Sequence, residues 1–170
     1  SGHDFPEGSS VSSALLFGDL MADVANMFSQ RTWQDNNPNW SDTPDSSGTT
    51  TARYDTINYP VEVDNYSAVT GRWAIIFRTP STVDVVNEQL GVIETGLSIS
   101  NNIAPINPTT EEPYFVLRRE GWGAGWATGN VVRFNTVSAL GPCWVARTVM
   151  PAQGITDADS FTLSPRGDSQ

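Results

Sequence analysis

The sequence predicts an all-β protein: a β-sandwich of about seven or eight short antiparallel strands with long loops, preceded by a short N-terminal helix. Three observations carry this. From residue 54 onward apolar residues alternate with polar ones at period two. Turn-forming residues are abundant, with Gly 14 and Pro 11 in 170 residues. Charge is sparse at 16%, so much of the polar surface falls to Ser, Thr, Asn and Gln. That mix suits strands joined by loops better than a helical bundle.

Residues 1–10 read as a flexible lead. Residues 11–53 hold the helix and a long polar loop, and residues 54–170 hold the sandwich. Phe17, Leu20, Met21, Val24, Met27 and Phe28 fit one helical face, which predicts a helix over about residues 19–29. Ala14–Phe17 reads alternatively as a short strand. Residues 31–53 show no period, and loops of that length are often functional.

Strands are then expected at Y-P-V-E-V (59–63), R-W-A-I-I-F-R (72–78), T-V-D-V-V-N (82–87) and Q-L-G-V-I-E (89–94). Further ones follow at Y-F-V-L-R-R (114–119), N-V-V-R-F-N-T-V (130–137) and C-W-V-A-R-T-V-M (143–150). A last short strand is expected at 160–163. Residues 96–113, rich in Asn and Pro, form a second long loop.

Composition excludes several chemistries. The net charge of -10 opposes general nucleic-acid binding, which needs clustered cations. All basic residues are arginine, so lysine chemistry is absent. One cysteine, Cys143, and one histidine, His3, cannot build a zinc cluster or a histidine triad. No apolar run reaches transmembrane length. No catalytic residue, metal ligand set or cofactor is assigned.

The candidate ligand-binding residues are Trp33, Trp40, Trp122 and Trp126. In E-G-W-G-A-G-W (120–126) an extended chain puts Trp122 and Trp126 on one face, roughly 13 Å apart. Exposed, they stack on two sugar rings; buried, they anchor the core while the glycine face admits another backbone. Packing is the favoured use. Trp33 and Trp40 read as anchors of their loop. The oxygens of Asp35, Asn36, Asn37, Asn39, Asp42 and Asp45 suit a calcium ion in number, but their spacing is no EF-hand. The strand arginines are expected to stack on Trp73, Phe134 or Trp144. Arg166-Gly167-Asp168 matches an integrin-binding tripeptide, and a terminal turn explains it better.

Three segments together carry a resemblance: Y-P-V-E-V-D-N-Y-S-A-V-T-G-R-W-A-I-I-F (59–77), P-Y-F-V-L-R-R-E-G-W-G-A-G-W-A-T-G-N-V-V-R-F-N-T (113–136) and W-V-A-R-T-V (144–149). Over roughly residues 54–168 the chain resembles a tail-associated structural protein domain of tailed double-stranded DNA bacteriophages. The resemblance implies a non-enzymatic virion component at the tail, extracellular after release. It implies other virion tail proteins as partners and a homo-oligomeric assembly. A glycan-binding host-attachment module, using exposed tryptophans on a host-surface glycan, is the alternative. A virion polysaccharide hydrolase is a third reading. Neither nucleic-acid binding nor membrane insertion is expected.

Overall fold

The computed structural model describes residues 21–44 and 50–139 in full, and the backbone of 11–16 and 144–149. Its strands are β1 (Val11–Leu16), β2 (Asp23–Gln30), β3 (Gly71–Phe77), β4 (Thr82–Asn87), β5 (Gly91–Ser98), β6 (Val131–Val137) and β7 (Trp144–Val149). A 3-10 turn occupies Arg119–Gly121. Contacts divide the chain into two compact units: Gly18–Gly141, and Ser1–Phe17 together with Pro142–Gln170. In the latter, β1 and β7 pair antiparallel. The expected lead at 1–10, the strand at 160–163, Cys143, His3 and Arg166-Gly167-Asp168 lie outside the described residues.

Gly18–Gly141 is built on one antiparallel sheet of order β2-β6-β3-β4-β5. β3 is its centre because it is apolar on both faces. Trp73, Ile75 and Phe77 point one way and Ala74 and Ile76 the other, all buried. The first face continues through Val83 and Val85 of β4 and Val132 and Phe134 of β6. Tyr54, Ile103, Tyr114, Phe115, Leu117 and Trp126, from irregular segments, cover it. The second face carries Ala74, Ile76 and Val131, and Trp33 and Trp40 pack on it. The sheet thus lies between two layers of irregular chain, and among the described residues of this unit no second sheet faces it.

Two expected strands shrink to isolated bridges. Residues 59–63 and 114–119 meet at Glu62↔Val116, and Ile103↔Leu117 and Ile106↔Pro113 follow. Pro60 and Pro113 lack the amide donor that a longer ladder needs. Asx turns shape the intervening chain. Asp55 accepts from the amides of Ile57 and Asn58, and Asp64 from those of Tyr66 and Ser67.

The expected helix at 19–29 is not seen; residues 23–30 are strand β2. The reason lies in a bulge. Ala25 pairs with Asn135 and Phe28 with Arg133, so β2 has one residue more than β6 between those pairs. Asn26, at φ 52°, absorbs the excess. The bulge puts Val24 and Met27 together on the first face. It turns the Phe28 ring toward Arg133 on the other. An interrupted period of two thereby imitates the i, i+3, i+4 spacing of a helix.

Asparagine tolerates the left-handed region, whereas a β-branched residue does not. Asn26→Val is therefore expected to lower stability by about 1–2 kcal/mol, with Asn26→Gly close to neutral. Urea denaturation midpoints check this, and equal stability of the two variants would contradict it.

Candidate functional site

The Gly/Trp stretch is not extended. After the 3-10 turn, Trp122 makes a single bridge to Tyr54. The segment 53–55 runs alongside, with the Asp55 amide donating to the Gly121 carbonyl at 2.9 Å. A Cβ on Gly121 would fall 2.6 Å from Cε2 of Tyr54. The glycine side of the stretch therefore admits a neighbouring segment, as packing required. Gly125, at φ 93°, then bends the chain back.

That bend brings the Trp122 and Trp126 rings to 5.6 Å, edge to face, in place of the wide spacing of an extended chain. Trp126 is buried and stacks on Phe77 at 4.4 Å and 4°. Trp122 is half-buried, edge-on to Phe77 at 5.5 Å and to Tyr54 at 4.8 Å. Its indole N–H and that of Trp126 are buried without an acceptor. Burial pushes the Tyr54 phenol up to about 12, and its hydroxyl donates to the Arg118 carbonyl. A turn follows, closed by the Asn130 amide on the Ala127 carbonyl at 3.0 Å, and β6 begins at once.

Trp33 and Trp40 lie on the opposite face, half-buried and edge to face at 5.0 Å. Their loop is clamped by three arginines. Arg78, just past β3, makes a paired contact to Asp35 at 2.8 and 3.0 Å. Arg72 of β3 reaches Asp42 at 3.2 and 3.3 Å. Arg133 of β6 has a side chain with no exposed surface. It donates to the carbonyls of Trp73, Asn39 and Trp40 at 3.1, 2.6 and 3.3 Å. Its guanidinium stands 4.8 Å from the Trp40 ring centre and 5.7 Å from that of Phe28. The stacking expected of the arginines is thus found, but on Trp40 and Phe28. Trp144 has no described side chain.

The four tryptophans therefore form two pairs on opposite faces of the sheet, and each pair packs internally. The oxygen-rich loop does not converge on one point. Asp35 and Asp42 face arginines, and Asn39 caps the Ser41 amide. Among the described residues no group of three or more Asp, Glu, His or Cys could hold a metal ion. Asp45 lies outside them. Glu62, Glu88 and Glu120 are each tied to an arginine as well.

Sequence reasoning missed one opening. Where β2 ends, the loop leaves a cavity of about 350 Å³ lined by Gln30, Thr32, Gln34, Asn37, Pro38 and Asn39. The density of side-chain amides in Q-R-T-W-Q-D-N-N-P-N was its visible signal. A second, less polar groove of about 510 Å³ runs between β2 and residues 56–63, past Val24, Met27, Pro60 and Val61. No helix among the described residues is long and apolar enough to cross a membrane. No protein-family model, curated protein or solved structure significantly matches this chain.

Arg133→Met is expected to destabilise the protein by about 3–5 kcal/mol, because Asp42 loses a buried cation and three carbonyls lose their donor. Arg133→Lys is expected to recover only part, since an ammonium cannot fork to separate acceptors. Chemical denaturation with tryptophan emission as the readout checks both.

The clamps also set an acid limit. Arg78 holds the Asp35 carboxyl below its ordinary value. Asn135 and then Arg72 do the same for Asp42. A lowered folded pKa stabilises above the unfolded pKa and is lost as pH falls through the folded one. These groups therefore leave stability unchanged from pH 7 to 5 and reduce it below about pH 4. Urea midpoints against pH show this, with a shallower acid decline in Asp42→Asn.

Proposed function

We propose that this chain is a non-enzymatic structural component of a tailed bacteriophage particle, associated with the tail and assembled through protein–protein contacts. One observation carries the reading. The aromatic stretch that a ligand platform would expose is folded into the core, with Trp126 stacked on Phe77. Three of the candidate glutamates, Glu62, Glu88 and Glu120, are engaged by arginines, which disfavours them as a hydrolytic pair. The resemblance of residues 59–77, 113–136 and 144–149 to tail-associated domains supports the location. Ile57 and Val92, 90% and 63% exposed, offer apolar surface for contacts with neighbouring subunits.

Partners under this reading are other tail proteins and further copies of the chain, in a particle that is extracellular after release. Host attachment through a glycan is the second reading. Its support now comes from the polar cavity, because the tryptophan faces are largely occupied.

Immunogold electron microscopy tests the proposal, using antibody against this chain on particles made from its genomic neighbourhood. Label on tails is the expected result. Label on capsids, or particles without label, overturns the location. Release of reducing ends from host envelope polysaccharide by the purified protein would overturn the non-enzymatic part.

A further inference from the structure

The cavity at the end of β2 has a composition that selects its ligand. Its lining holds the carboxamides of Gln34 and Asn37, both exposed, beside those of Gln30, at 1% exposure, and Asn39, whose Oδ1 already accepts from the Ser41 amide, with the Thr32 hydroxyl and the ring of Pro38. None of these side chains is charged, in a chain of net charge -10. A carboxamide offers two donors and two acceptor lone pairs in one plane. That pattern meets adjacent hydroxyl groups, each of which both donates and accepts.

The frame around it is rigid. Gln30 is buried at the end of β2, at 1% exposure. The Trp33 amide donates to the Gly129 carbonyl at 2.9 Å. Arg133 grips the carbonyl of Asn39, and the Trp33–Trp40 ring pair closes the loop between them. Thr32 is held at φ 67°, a strained conformation for a β-branched residue. Such strain persists where the surroundings fix it, and it concentrates at ligand clamps. Gln34 and Asn37, both exposed, stand between the clamped ends. Ordering a ligand here needs little further ordering of the protein.

We propose that this cavity is a binding site for a neutral sugar unit of a glycan. A sialic or uronic acid would call for a cation, and the lining has none. A docked peptide would call for an apolar anchor pocket, and Pro38 is the sole apolar side chain in the lining. The site belongs to the isolated chain and does not rest on tail assembly, so either proposal can fail alone.

Amide chemical-shift titration of the full chain tests it. The probes are D-glucose, D-galactose, D-mannose, L-rhamnose and N-acetylglucosamine, with D-glucuronate as the charged control. At least one neutral sugar is expected to shift the amides of residues 30–39 with a Kd on the order of 1 mM. The double variant Gln34→Ala/Asn37→Ala should weaken it at least about tenfold at unchanged Tm, since both side chains are exposed. Asn37→Asp supplies a second variant of nearly unchanged shape, with the same expected loss. Absence of any shift in residues 30–39 at about 50 mM of each neutral sugar overturns the proposal. So do shifts that persist undiminished in the variants, or glucuronate binding there as well as the neutral sugars.

Discussion

A guanidinium without solvent contact at the middle of the sheet sets the terms for one whole side of this protein. Taking a cation out of water carries a penalty of several kcal/mol unless every donor finds an acceptor. Within the sheet Arg133 has the Trp73 carbonyl, and the rest come from the loop, at Asn39 and Trp40. Burial lowers the Arg133 pKa, and the nearby charges of Asp42 and Glu88 oppose that. The irregular chain over this face is therefore fixed by charge and hydrogen bonding as much as by apolar contact. Phe28 and Trp40 flank the cation and exclude water from it. Without the loop the arginine would lie open to water on the sheet face. Without the arginine the loop carbonyls would face an apolar sheet.

The other face follows a different rule. Its cover is held by aromatic packing, from Phe134 and Phe115 through Trp73 and Tyr114, and from Tyr54 through Trp122 and Phe77 to Trp126. Each such pair contributes about 0.5–1.5 kcal/mol beyond area burial. Trp73 also donates to the Thr136 hydroxyl at 2.7 Å, so the largest buried side chain is satisfied. Trp122 and Trp126 are not, and each unpaired indole N–H costs about 1–3 kcal/mol. The ring contacts offset that loss locally. This arrangement favours close packing of the stretch over polar recognition by it.

Legibility differed by element for identifiable reasons. β4 is legible because it alternates cleanly, and β3 and β6 because their runs of aromatic and β-branched residues lie between turn residues. β2 carries a helical signature because one bulge residue, Asn26, converts alternation into three-residue spacing. Residues 59–63 and 114–119 alternate as strands do, but their pairing depends on partners distant in sequence and stops at single bridges. The close approach expected at the glycines is found at Gly121 and Gly123, while Gly125 serves a bend whose φ no pattern displays. The arginine–aromatic use was legible in kind, and its rings were not. The polar cavity was least legible, since it exists only where the end of β2 meets the clamped loop.

The strand order has a consequence in time. β3, β4 and β5 are joined by short connections, so they can pair as soon as they are made. β2 precedes them all, yet its sole partner in the sheet is β6, whose last residue is Val137. At about 5–20 residues per second, the ribosome adds the intervening hundred or so residues in roughly 5–20 s. During that interval the oldest strand of the sheet has no partner in it, and the carbonyls of the loop behind it await an arginine not yet synthesised. The first strand of this sheet to be made is thus among the last to be placed. Its bulge, with a left-handed asparagine in the middle, suits a strand that must wait without pairing elsewhere.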